Sequence, residues 1–127
     1  RYPNLRIITH HLGGMIPYYD GRVGNGLKVL GARTTDEDYS KILPSLKRPH
    51  MDYLHDFFAD TAMFGGGAHA IRCGLEFFGA DKVVFATDAP LGPIGVTVET
   101  IKKLELAPED QRKLFSGNAG KLLKMNF

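Results

Sequence analysis

Two side chains close apolar runs where a reactive group would be useful. His11 follows Leu5-Arg6-Ile7-Ile8-Thr9-His10 and leads into Leu12-Gly13-Gly14. Asp88 follows Lys82-Val83-Val84-Phe85-Ala86-Thr87 and leads into Ala89-Pro90. Imidazole titrates near neutrality, so it can carry a proton or ligate a metal. A carboxylate leaving a strand and pinned by a proline can bind a divalent cation or orient water on it. Taken singly, His11 also reads as a histidine satisfied in a turn, and Thr87-Asp88-Ala89-Pro90 as an Asx turn or cap. As a pair, each ending a β-rich run, they suggest a metal-centred or acid–base site. Parallel α/β barrels carry their working groups in this way, at the C-terminal ends of the strands.

The other reactive residues are weaker candidates. His69 stands on the glycine-rich entry to a helix and could face such a strand mouth, although a helix-surface histidine is the plainer reading. His50 and His55 lie in a connection bearing Pro49 and Asp52 and are expected to be solvated. Cys73 sits on an apolar helix with Arg72 as its one basic sequence neighbour, which favours packing over nucleophilic chemistry. Gly65-Gly66-Gly67 lacks the Lys-[Ser/Thr] of a phosphate loop.

Positioning those groups requires strands alternating with helices, and the patterning predicts them. Strands are expected over 5–9, 57–61 and 82–87, each too short and too β-branched or aromatic to favour helix. A helix should start at Pro17 and break at Gly24-Asn25-Gly26, followed by a loop over 28–35. Asp36 should cap a helix over 37–43 that stops near Pro44, and 49–56 should be helical. Ala68, Ile71, Leu75 and Phe78 share one face of a helix that Gly79 ends. Further helices are expected over 97–104 and 108–115, with Gly117-Asn118 separating the latter from a last one over 119–125. Such alternation argues for a parallel β/α architecture rather than a sandwich or bundle. A parallel sheet wants both faces covered, and three strands alone would be poorly covered. Phe57, Phe58, Val83, Val84 and Phe85 are the apolar residues expected to suffer, beside two open sheet edges.

Size and composition bound the rest. The chain has 127 residues, enough for one domain with a core but about half of the roughly 250 residues of a full barrel. It opens on Arg1 and a loop-like Tyr2-Pro3-Asn4, as expected for part of a longer protein. Hydrophobic residues at 43% and charged residues at 24% are ordinary for a soluble domain, whereas the net charge of +2 is too small to argue for nucleic acid or an anionic membrane. No apolar run approaches a membrane span. The single Cys73 excludes an internal disulfide and fits a reducing, cytoplasmic setting.

Four segments, in order, resemble the amidohydrolase-related family of metal-dependent enzymes. His11-Leu12-Gly13-Gly14-Met15-Ile16-Pro17 is similar to its His-x-Gly-Gly-x-x-Pro segment, and Phe58-Ala59-Asp60-Thr61 to its aromatic-x-Asp-[Ser/Thr] strand. The stretch from Phe78-Gly79-Ala80-Asp81-Lys82 through Thr87-Asp88-Ala89-Pro90 is similar to its most specific signature. Gly117-Asn118-Ala119 with Leu122-Leu123 resembles its ending. The resemblance implies the C-terminal part, about strands six to eight with their helices, of a (β/α)8 barrel occupying 1–127 as a single partial domain. It implies Asp88 as a metal ligand, with zinc the expected cation, and His11 as the acid–base residue. Arg22 falls where the family's decarboxylases carry an arginine able to reach a substrate carboxylate, though it reads equally as a solvated helix residue. His69 is the second substrate-side candidate.

Counting back from Gly13 and Pro17 selects His11 over His10, and strand alternation agrees. The family's first-strand His-x-His and fifth-strand histidine have no counterpart here, so this chain supplies one metal ligand of the set. After Asp60, Ala62-Met63-Phe64-Gly65-Gly66-Gly67 replaces a histidine-bearing loop found in some decarboxylases. The expected activity is non-oxidative decarboxylation or hydrolysis of a small, carboxylated, often aromatic-derived substrate, by a protein that is a homo-oligomer at full length. The contrasting expectation is a non-catalytic half-barrel that keeps the signatures without a complete metal site. A His-x-His upstream would discriminate between them.

Overall fold

A computed structural model describes residues 2, 4–32, 38–64 and 67–126. Three short strands, β1 (Ile8–Thr9), β2 (Phe58–Asp60) and β3 (Val83–Val84), form one parallel sheet in that order. Ile8 pairs with Phe58, Thr9 with Ala59, Ala59 with Val83 and Asp60 with Val84. The chain is therefore α/β, and all three strands end on the same side.

The helices are α1 (Asp20–Lys28), α2 (His50–His55), α3 (Ala68–Phe78), α4 (Ile94–Lys102), α5 (Pro108–Arg112) and α6 (Asn118–Leu123). Helix α3 buries Ile71, Gly74 and Phe78 on the expected face, and Gly79 ends it at φ 80°. With Leu12, Ala59, Val83, Ile101, Leu104 and Leu114, the Ile71 and Phe78 side chains form the core between sheet and helices. Each fully buried Leu or Ile contributes about 1.5–3 kcal/mol of transfer free energy.

The fold departs from the sequence expectations where tertiary contacts override local signals. Gly24 and Gly26 lie inside α1 instead of ending it. His50 bonds the Gly24 carbonyl at 2.9 Å and the Met51 side chain lies over Gly24, so α2 packs across this part of α1. Asp36 and Glu37 lie outside the described residues; Asp38 instead accepts from the Ser40 N–H to open a short turn at Tyr39–Lys41. The expected break at Gly117-Asn118 is absent: α5 runs through a π turn (Lys113–Gly117) directly into α6. Asn118 is buried there, with its Nδ2 donating to both Ala80 O and Val83 O at 2.7 Å.

That contact also closes one sheet edge. The Lys82 and Val84 carbonyls face β2, and the groups between them face outward. Asn118 takes the Val83 carbonyl, and the Phe85 N–H donates to Leu114 O. Val83 and Val84 are therefore buried rather than under-covered, whereas Phe57, Phe58 and Phe85 are half-buried. Beside the other edge, Leu5, Ile7 and Ile8 are exposed.

Candidate active site at the strand ends

Continuing the β1–β2 register by one residue sets His10 opposite Asp60, at the C-terminal ends of both strands. Asp60 is nearly buried, and both of its oxygens are engaged. Oδ2 accepts from His10 Nδ1 at 2.6 Å; Oδ1 accepts from the N–H groups of His11 at 3.0 Å and Ala62 at 3.1 Å. The ring of His11 bonds through Nδ1 to the carbonyl of Ala62. One carboxylate thus ties the end of β1 to the turn leaving β2.

The backbone after β1 explains how two consecutive histidines share one site. Alternation would send them to opposite faces, but His11, Leu12, Gly13 and Gly14 all have positive φ, between 51° and 75°. Alternation therefore ends at His10, and the rings lie against each other with centroids 3.7 Å apart and a 34° tilt. Leu12 anchors this turn by burying its side chain against Gly74, where a Cβ would meet Leu12 atoms at 2.9–3.1 Å. Gly13 similarly faces the Phe78 ring, with 2.8 Å between its would-be Cβ and the ring. Non-glycine residues seldom adopt positive φ, so it is held here by surrounding packing.

Asp88 leaves β3 four residues beyond Val84, also at positive φ (61°). The Thr61 hydroxyl steadies the approach: it donates to Ala86 O at 2.9 Å and accepts from Ala86 N at 3.0 Å. Beyond it, Gly92 N–H donates to Asp88 O at 2.8 Å. The Asp88 carboxylate itself accepts no hydrogen bond from the described residues.

The electrostatics join the three strand ends. His10 titrates above the ordinary histidine value, chiefly because its ring donates to Asp60, with the negative charges of Asp60 and Asp88 adding to the effect against partial desolvation. As a donor set, His10, His11 and Asp60 come within 4.8 Å of one another. Both oxygens of Asp60 already have protein donors, however, whereas the carboxylate of Asp88 is free, as a hard-cation ligand should be. The residues present thus fit a divalent cation held at Asp88, with further ligands from outside this group.

The four residues singled out from sequence do not all converge. His11 follows β1 and Asp88 follows β3, with β2 and its Asp60 between them. Arg22 is exposed on α1, beside a groove formed with Ile16, Tyr19 and Leu30. His69 fronts a separate apolar groove with Leu12, Tyr18, Met63 and Cys73, and the two grooves share Met15. Of the two histidines expected to be solvated, His55 is exposed and bonds the Phe77 carbonyl, whereas His50 is half-buried and bonds the Gly24 carbonyl. Asp60 and His10 are the residues that the sequence reading left without a role. Asp60 closes its strand just as Asp88 follows its own, and that shared pattern was the available signal.

A family model described as Amidohydrolase matches residues 1–125. A gamma-resorcylate decarboxylase of Polaromonas sp. is 28% identical over 126 residues, covering 99% of this chain and 36% of its own length. The crystal structure of a 5-carboxyvanillate decarboxylase from Sphingomonas paucimobilis superposes with a TM-score of 0.78 at 25% identity, over 99% of this chain and 36% of that one. A dihydroxybenzoic acid decarboxylase from Polaromonas sp., with bound manganese and the inhibitor 2-nitroresorcinol, gives 0.74 at 27% identity, over 97% and 35%. The chain spans about a third of the length of the curated relatives it matches.

Proposed function

The chain belongs to the amidohydrolase family, and from that premise we propose that residues 1–127 form the C-terminal part, about strands six to eight, of a (β/α)8 metal-dependent enzyme. Its reaction is non-oxidative decarboxylation, favoured over hydrolysis because the similar proteins named above are decarboxylases of carboxylated phenols. The substrate is a small aromatic carboxylate, and the intact protein is a cytoplasmic homo-oligomer. The observation that carries this reading is that His11, Asp60 and Asp88 follow or close three adjacent parallel strands at the same end of the sheet, with Asp60 bonded to the His11 N–H and the Asp88 charge acting on His10. Among the described residues no helix is long and apolar enough to cross a membrane.

Asp88 would hold the divalent cation. Manganese, which one relative binds, suits a carboxylate ligand at least as well as the zinc expected from sequence. When bound, such a cation supplies Lewis-acid polarisation of a substrate oxygen. Decarboxylation exchanges a C–CO2⁻ bond for a C–H bond, so one proton must reach the ring carbon as CO2 leaves. His11 is placed to deliver it: its Nδ1 hydrogen is held by Ala62 O, which leaves Nε2 to carry the transferred proton. Arg22 is the partner for a substrate carboxylate and His69 a second substrate-side residue. Their separate grooves support these two roles less directly than the strand ends support His11 and Asp88.

Two substitutions in the full-length protein test the reading. Asp88→Asn should lose bound metal and activity together, because it removes the charge a hard cation needs. His11→Ala should keep its metal and lose roughly 10²–10⁴-fold in kcat, the usual contribution of an acid–base group. Normal metal content in Asp88→Asn, by elemental analysis, would overturn the assignment.

A further inference from the structure

Asp60 makes more contacts than a strand-end capping residue needs, and they fall on both histidines. Its Oδ2 faces His10 Nδ1 at 2.6 Å. A carboxylate in contact with an imidazole nitrogen can only accept, so His10 Nδ1 carries the hydrogen. Oδ1 receives the His11 N–H and fixes the left-handed backbone there; it also receives the Ala62 N–H. The Ala62 peptide in turn presents its carbonyl to His11 Nδ1, and a carbonyl likewise only accepts. Both imidazoles therefore keep their hydrogen on Nδ1 and offer Nε2 as the free nitrogen. They lie ring against ring, so fixing one braces the other.

We propose that Asp60 is the positioning residue of this site: a single carboxylate selects the Nδ1–H tautomer of His10 and, through the Ala62 peptide, that of His11, so that both Nε2 atoms serve proton transfer. The inference rests on the functional reading above and assigns Asp60 a role separate from the cation at Asp88. Its nearly buried side chain, 12% exposed against 54% for His10, keeps water from competing for these bonds.

The isosteric Asp60→Asn variant isolates the effect. The asparagine carbonyl can still accept from His11 N and Ala62 N, but its amide nitrogen cannot accept the His10 Nδ1 hydrogen. In the full-length protein we expect metal content to stay at the wild-type level and kcat to fall by roughly 10–100-fold with a smaller change in KM. Nitrogen-resolved NMR of the imidazoles, at a pH where His10 is neutral, should show its hydrogen on Nδ1 in the wild type and on Nε2 in the variant. Asp60→Glu should not restore turnover, because the longer side chain misplaces both oxygens. Should Asp60→Asn fail to fold, the wild-type spectrum alone decides: a hydrogen on Nε2 of His10 overturns the proposal. Loss of metal in Asp60→Asn would also overturn it by making Asp60 a ligand, as would unchanged kcat. A failed functional reading is distinguishable, because Asp88→Asn would then keep its metal whatever the His10 tautomer.

Discussion

At the residue scale the site is a contest for one carboxylate, and His10 benefits from it. Hydrogen bonding to Asp60 favours the protonated ring, and the charge of Asp88 adds to the preference. A histidine whose folded pKa is raised stabilises the native state fully below about pH 6.5, where the unfolded ring is also protonated. That contribution fades as pH rises through the higher native value. In the metal-free protein, NMR should therefore find His10 titrating above 6.5, and Asp60→Asn should lower its midpoint. A His10 midpoint at or below 6.5 would show that the Asp60 bond does not form in solution. Strand alternation favoured His11 alone from sequence, because nothing local announces that the backbone turns left-handed at His11 and Leu12. Asp60 was visible as a strand-closing acid. Its histidine partners lie about 50 residues away, and only the parallel register brings them together.

The elements hold this arrangement through close approaches that depend on particular glycines. The tightest lies behind Asp88: a Cβ on Gly92 would sit 1.9 Å from the Thr87 carbonyl oxygen. No rotamer change relieves a clash with backbone, so Gly92→Ala must open the turn that Gly92 N–H closes onto Asp88 O. The expected cost is about 1–3 kcal/mol, typical of overpacking, together with weaker metal binding because Asp88 moves with the turn. Thermal melting and a metal titration on the full-length variant check both; wild-type values in each would show that the loop is not under this constraint. Helix α3 was legible because burial periodicity governs it directly, and the three strands because each lies within a short apolar run rich in β-branched or aromatic residues, although only two or three residues of each run pair. The glycines were not: Gly24 and Gly117 read as stops from sequence, yet one lies beneath Met51 and the other sits in a continuous helix through a π turn. A glycine can thus sit inside a helix that packing against its neighbours sustains, and only those neighbours tell it apart from a break.

On the scale of the whole molecule, the sheet is asymmetric, and the asymmetry directs how this stretch of chain should associate. Its parallel strands could expose two edges, but Asn118 and Leu114 occupy the outward groups of β3. The β1 edge has no such cover among the described residues, and Leu5, Ile7 and Ile8 lie exposed beside it, Ile8 at 50%. An uncovered edge flanked by apolar side chains is a template for pairing with another chain. Residues 1–127 expressed alone should therefore self-associate or show poor solubility, and should show no metal-dependent activity, since Asp88 is the one free carboxylate at the strand ends among the described residues. Ile8→Lys places a charge on that edge without touching the core. It should shift the population toward monomer in light scattering at equal concentration, whereas the same exchange at Val96, exposed on α4, the helix that packs on α3, should not. A wild-type stretch that is monomeric and melts cooperatively would contradict the partial-barrel reading. Association unaffected by Ile8→Lys would place the sticky surface elsewhere, with the apolar groove of Met15, Tyr18 and Met63 the next to test.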